Sequence, residues 1–292
     1  MSRPMRIEYP GAIYHITSRG NEKGDIFYES SDRSNFLCIL ADVIKRYNWL
    51  CHSYCLMSNH YHLLVETLEA NLSSGMRQLN GVYSQQFNFN HERVGHLFQG
   101  RYKSIIVERE SYLLELCRYI VLNPVRSNMV SKPEDYQWSS YRFTTSLQEC
   151  PGFLNTDWLL KQFGDKPAIA CKKYIEFVYA GIGCESPWNN LRGQVILGKE
   201  NFLQDIEPLI EEKANIAEIP REQRLVLQQK PADLTRLCKL VGVPAERNKI
   251  MYELHYKNGM PIKEIATMFN LHPGSVSRLL KKLGAGLTSN KM

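Results

Sequence analysis

Two histidines, His60 and His62, flank Tyr61 in the segment SNHYHLLVE and are the first residues whose spacing could do chemistry. On an extended strand, side chains two residues apart project from the same face. Two imidazoles side by side are what a divalent cation with nitrogen ligands requires. Taken alone, such a pair is a weak motif and is more often incidental than metal-binding. A second pair follows in CRYIVLNPVRSN, where Asn123 stands four residues after Tyr119. Residues four apart share a helix face, so a phenol hydroxyl and an amide oxygen could be presented together to one site. The chain has sixteen tyrosines, so Tyr119 is not special by type, and in isolation it reads as a packed core aromatic.

The elements that must carry these residues can be read from periodicity. Residues 12–18 alternate and are β-prone, which predicts a strand. Ser31 or Asp32 is the expected N-cap of a helix over 33–47, with Phe36, Leu37, Leu40, Val43, Ile44 and Tyr47 at helical spacing. Residues 49–57 and 60–66 read as two strands joined at Ser58-Asn59. A helix is expected over 72–89, a strand over 102–107, and a helix over 110–122 stopped at Asn123-Pro124. The order β-α-β-β-α-β-α predicts an α+β fold, a ferredoxin-like antiparallel sheet with helices on one face and one extra helix. Residues 127 to about 200 are interrupted by Pro133, Pro151, Pro167, Pro187, Gly181 and Gly183, and read as a partly helical linking region.

Composition sets the outer limits. The chain has 292 residues, 43% hydrophobic and 23% charged, with a formal net charge of +6. That is ordinary globular composition, mildly basic, and compatible with a nucleic-acid partner without demanding one. Eight cysteines occur without a CxxC pair, so free buried thiols in a reducing compartment are expected rather than a zinc ribbon or a disulfide framework. The opening MSRPMRIEYP has no apolar core of a secretory signal, and no apolar run approaches the ~18 residues of a membrane span. A cytoplasmic protein with no membrane partner is the expectation.

SNHYHLLVE, LFQGRYKS and CRYIVLNPVRSN, in that order and spacing, resemble the REP-associated tyrosine transposases, a single-tyrosine branch of the HUH endonuclease superfamily. RIEYPGAIYHITSRGN and PEDYQWSSYR are similar to that family too, so the resemblance covers about residues 6–145. It implies that His60 and His62 are metal ligands and that Tyr119 is the nucleophile. It further implies that Asn123 is a third polar ligand (glutamine in some relatives) and that the extra helix is catalytic. Arg101 and Lys103 fall where the family has a basic strand beside the site, and Arg118 and Arg126 flank the tyrosine motif as further DNA-binding candidates. The implied activity is a metal-dependent transposase that cleaves and rejoins single-stranded DNA through a covalent 5′-phosphotyrosine, with Mg²⁺ or Mn²⁺ as cofactor. The implied setting is the bacterial cytoplasm, in association with the nucleoid. Some relatives work as swapped dimers, so both a monomer and a homodimer are compatible with the sequence.

The end of the chain carries a second motif. IKEIATMFNLHPGSVSRLLKK places Ala266 in one helix and Val276 and Leu279 in the next across a short turn, the spacing of a helix-turn-helix at about 247–283. From residue 249 onward, seven basic residues face two acidic ones, a net +5 that is most of the whole chain's +6. Ser275, Ser277, Arg278, Lys281 and Lys282 could meet phosphates or base edges. The region resembles the DNA-binding domain of the bacterial replication initiator and related modules; a plain helical hairpin with solvated lysines is the alternative. Candidate helices over 222–229 and 233–241 precede it. The domain plan is therefore 1–146 for the transposase domain, 147–200 for the linking region and 201–292 for an all-α DNA-binding domain. Rival functions are a domesticated DNA-binding protein that does not cut, a helix-turn-helix regulator, and a zinc hydrolase. The regulator leaves the histidine pair unexplained, and the hydrolase leaves Tyr119 unexplained.

Overall fold

The computed structural model describes residues 7–211, 244–256, 260 and 262–288. Its chain divides into two units, Arg6–Ile206 and a second that includes Glu207–Met292.

In the first unit the chain runs through β1 (Ala12–Arg19), α1 (Ser30–Tyr47), β2 (Trp49–Leu56), β3 (His60–Thr67), α2 (Leu72–Asn90), β4 (Lys103–Val107) and α3 (Arg109–Val121). The strands lie in the order β2-β3-β1-β4, each antiparallel to its neighbours, as the element order predicts. In α1 the periodic residues Phe36, Leu40, Val43 and Ile44 are buried. The helix starts at Ser30, earlier than expected, and neither Ser31 nor Asp32 is its cap. Glu29 holds that position, while the Asp32 carboxylate accepts from the backbone N–H groups of Tyr28 and Glu29 at 2.9 Å each. Asp32 thus acts from inside the first turn, as the reciprocal partner of a capping box.

Strand alternation gives the sheet two different faces. Tyr61 packs on Phe36, and Phe36 on Tyr83, so α1 and α2 cover one face. On the other face Ile13, Leu64, Leu116, Cys117 and Ile120 form a buried cluster under α3. The extra helix therefore covers the face toward which His60 and His62 project. A bulge between Cys51 and Ser53 shifts the register of β2, and His52 lies there with Nε2 3.1 Å from the Glu66 carboxylate. Arg109, the first residue of α3, pairs with the same carboxylate. These pairings tie the start of α3 to β3.

Residues 147–200 are not a separate linker. The short helices α4 (Asn123–Arg126) and α5 (Tyr141–Thr144) lead into the stretch, which itself forms α6 (Asp157–Lys161), α7 (Pro167–Tyr179), β5 (Leu191–Arg192) and β6 (Ile196–Leu197). Leu159, Tyr174, Val178 and Leu197 are buried in the α3 cluster, and β6 extends the sheet in parallel beside β4. Two-residue strands leave no alternation to read, so prolines and glycines are the only local signal there.

In the second unit the described helices are Pro244–Tyr256, Ile262–Met268 and Pro273–Thr288. Ile250, Met251, Leu254, Ile265, Ala266, Phe269, Val276 and Leu280 form its core, with Leu279 packed against it. Asn270 takes a left-handed conformation (φ 49°) in the turn, a conformation that asparagine tolerates better than most residues. The expected helices at 222–229 and 233–241 lie outside the described residues. Cys51, Cys55, Cys117 and Cys171 are buried thiols, whereas Cys38, Cys150 and Cys184 are exposed, contrary to the expectation of uniform burial. Among the described residues no helix is long and apolar enough to cross a membrane.

Candidate active site

His60 opens β3, and His62 pairs with Thr17 of β1 on one side and Cys55 of β2 on the other. The His60 and His62 rings are 5.0 Å apart between centroids. The hairpin that starts β3 is held by Gly20, whose N–H bonds the Asn59 carbonyl at 2.9 Å. A Cβ on Gly20 would stand 2.0 Å from the Gly24 carbonyl oxygen, so the close chain crossing beside the histidines needs glycine.

Both imidazoles are held neutral. Burial, with Arg19 adding repulsion, lowers His60 to about 4, and its Nδ1 lies 2.7 Å from the Asn59 amide oxygen. Burial first, and then His15 and His60, push His62 well below its ordinary value. His62 Nδ1 is hydrogen-bonded to His15 Nε2 at 2.9 Å, while its Nε2 is buried with no hydrogen-bond partner among the described residues. Neutral imidazoles, one with an orphaned ring nitrogen, fit a divalent cation. Among the described residues no three His, Cys, Asp or Glu side chains converge as a metal cage, so a cation here would take its remaining ligands from another donor type.

Tyr119 lies in the last turns of α3. Its ring stands edge-on to His62, with centroids 6.3 Å apart. Asn123 begins α4 and is 8% exposed. Its Nδ2 donates to the Tyr119 and Ile120 carbonyls at 3.1 and 3.3 Å, which fixes the amide one turn below the tyrosine and commits its nitrogen rather than its oxygen. Arg126 lies over the Tyr119 ring, with Cζ 4.5 Å from the centroid. Its Nη1 is buried with no partner among the described residues. Burial lowers Arg126 from its ordinary value, with Tyr119 acting in the opposite direction.

Arg101 and Lys103 line a cleft of about 500 Å³ together with Arg19, His60, His62 and Gln99. Arg118 points elsewhere. It pairs with Glu115 and lies 4.4 Å over the Phe177 ring, so its guanidinium joins α3 to α7 and is not brought to the histidines. In the second unit Ser275 and Arg278 are exposed and Ser277 is half-buried on the last helix. The side chains of Lys281 and Lys282 lie outside the described residues.

Three site residues were not singled out in the sequence. Arg19 ends β1 and lines the cleft. His15 is 3% exposed against His62. Trp188 packs on both His15 and Tyr119, at 5.0 and 5.2 Å. The alternation of β1 puts His15, Thr17 and Arg19 on the histidine face, a signal that was available. Trp188 had none, because it comes from the segment without readable periodicity.

Residues 9–123 match the family described as IS200-like transposase, and residues 245–285 match the MarR family. The first match falls on the histidine and tyrosine motifs that carry the resemblance in the sequence. The second falls on the helix-turn-helix at the end of the chain. No curated protein matches the chain. Among solved structures, a REP-associated tyrosine transposase bound to a REP hairpin is 17% identical, with a TM-score of 0.44 over 54% of this chain and 91% of that one. A tRNA(His) guanylyltransferase from Saccharomyces cerevisiae is 10% identical, with a TM-score of 0.32 over 64% of this chain and 85% of that one. At those scores neither structural likeness bears on chemistry.

Proposed function

We propose that this chain is a transposase that cuts and rejoins single-stranded DNA through Tyr119, with a divalent cation held by His60, His62 and Asn123. The observation that carries this reading is the Tyr119 ring standing 6.3 Å from the His62 ring, on the sheet face where the two histidines project side by side. The match of residues 9–123 to the IS200-like transposases supports a transposase, and the MarR match supports a DNA partner for residues 245–285.

A divalent cation held by His60, His62 and Asn123 would supply Lewis-acid polarisation of a phosphoryl oxygen of the scissile phosphate. Tyr119 supplies the nucleophile. Its hydroxyl proton leaves to solvent, its oxygen bonds to phosphorus, and the bond from phosphorus to the 3′ oxygen breaks; that oxygen takes up a proton. The DNA 5′ end stays on Tyr119 as a phosphotyrosine. A 3′-hydroxyl attacking the same phosphorus releases Tyr119 and reseals a strand. One phosphoester replaces another at each step, so no nucleotide is hydrolysed. Arg126, whose guanidinium lies over the Tyr119 ring, offers a positive charge to the phosphate attacked there. Arg19, Arg101 and Lys103 take neighbouring phosphates along the cleft. The second unit holds duplex DNA or a hairpin stem through Ser275, Ser277, Arg278, Lys281 and Lys282. Mg²⁺ is the expected ion, with Mn²⁺ able to replace it.

The test incubates the protein with Mn²⁺ or Mg²⁺ and a pool of labelled single-stranded hairpin oligonucleotides, followed by a denaturing gel. A covalent adduct lost in Tyr119→Phe and His60→Ala supports the reading. Clear binding with no adduct favours a DNA-binding protein that does not cut, and an adduct that survives Tyr119→Phe assigns the nucleophile elsewhere.

A further inference from the structure

His15, in the middle of β1, is not used by the chemistry above. Its ring is stacked on His62, with centroids 5.2 Å apart and planes 17° from parallel. Its other neighbour is Trp188, at 5.0 Å. Between the two histidines runs one hydrogen bond, from ring nitrogen to ring nitrogen, at 2.9 Å. A neutral imidazole carries a single N–H, so the direction of that bond fixes the tautomer of both rings. If His15 donates, the His62 proton sits on Nε2 and closes that nitrogen to a cation. If His62 donates from Nδ1, Nε2 keeps its lone pair. Among the described residues His62 Nε2 and His15 Nδ1 are both buried without partners, so no other described group decides between the two arrangements.

We infer that His15 is a positioning residue for the metal centre: it accepts the Nδ1 proton of His62, turning the lone pair of His62 Nε2 toward the cation. The hydrogen bond made by the second nitrogen of a ligating imidazole orients the ring and fixes its tautomer. Here that partner is a third histidine, from the neighbouring strand and two residues before Thr17, the β-partner of His62. Trp188 packs on His15 and also on the Tyr119 ring, so the support of the metal ligand and the support of the nucleophile share one indole. The inference rests on the proposed metal site.

Two measurements on the full chain test it. The first is Mn²⁺ affinity, read by electron paramagnetic resonance, in wild type, His60→Ala, His15→Leu and His15→Gln. His15→Leu removes the acceptor and should weaken Mn²⁺ binding by about 10- to 100-fold. His15→Gln offers an amide oxygen to the same proton and should keep most of the affinity. The second is the long-range ¹⁵N spectrum of His62 in wild type with saturating Mg²⁺, which needs no variant to fold. A proton on Nδ1 supports the inference, and a proton on Nε2 overturns it. Affinity lost in His60→Ala but unchanged in His15→Leu overturns the inference and leaves the metal site standing. Absence of Mn²⁺ binding in wild type overturns the metal site itself, and the inference with it.

Discussion

Tyr119 and His62 meet within one chain, with ring planes 79° apart and centroids separated by 6.3 Å. The helix that carries the tyrosine docks on its own sheet, through the cluster of Leu116, Cys117 and Ile120 on Ile13 and Leu64. A swapped arrangement would place nucleophile and histidines on different chains. Mixing decides between them. Tyr119→Phe and His60→Ala are each expected to form no adduct, and an equimolar mixture of the two should also form none. Recovery of adduct in the mixture would mean that a tyrosine from one chain serves histidines of another.

Arg126 lies over the Tyr119 ring, and among the described residues its Nη1 has no partner. A buried donor left unsatisfied is costly unless a ligand completes it. Removing one donor of this kind from a charge-stabilising site lowers turnover by about 10²- to 10³-fold. Arg126→Gln should therefore slow adduct formation by about 10²-fold while the fold persists, since stacking a guanidinium on a ring is worth only about 0.5–2 kcal/mol. Single-turnover rates alongside a thermal melt check this. An unchanged rate would assign the residue to packing alone.

How much of this was legible follows from signal length. The βαββαβ order, the histidine pair and the tyrosine helix all came from segments of five or more residues with clear periodicity; the strands lie in one sheet, and the histidine pair and the tyrosine helix share one of its faces. Arg118 was singled out because a basic residue beside Tyr119 invites a DNA role, and it sits on the side of α3 that packs against Phe177. Adjacent helix positions do not share a face. Trp188 was out of reach because a tight turn next to two-residue strands has no period to detect. His15 could have been found, since its offset of four from Arg19 keeps it on the face that carries the site.

Glu66 ties the site's strand to its helix, and this makes the first unit acid-sensitive. Burial works to raise its pKa, but the hydrogen bonds from His52 and Arg109 and the charge of Arg109 outweigh it, and the carboxyl is held below its ordinary 4.5. A depressed carboxyl contributes stability that is fully present above the unfolded value. That stability is lost as pH falls through the folded one, because the unfolded chain takes up the proton first. Urea midpoints should therefore be insensitive to Glu66 charge above about pH 5 and should decline below 4.5. Glu66→Gln should flatten that decline while lowering stability near neutral pH. An acid slope unchanged in Glu66→Gln would place the sensitivity at other carboxylates.

Ending the chain at Ile206 should separate cutting from holding. The first unit keeps the whole sheet, including β6 at Ile196–Leu197, and the α3 cluster that seats Tyr119. The second unit has its own core around Ile265, Ala266 and Val276 and, with Lys249, Lys263, Arg278, Lys281 and Lys282, much of the chain's excess positive charge. Each phosphate that the shortened chain no longer neutralises should reduce the slope of log affinity against log salt by about 0.9 for duplex DNA. The shortened chain should thus bind hairpin DNA more weakly and with a shallower salt dependence. It should still form an adduct on a short single strand at a rate close to that of the full chain. Titration of hairpin binding across salt concentrations, paired with the adduct assay, checks both halves. Loss of the adduct on a short strand would mean that the second unit takes part in the cutting itself, and an unchanged salt slope would mean that its basic residues do not reach the DNA.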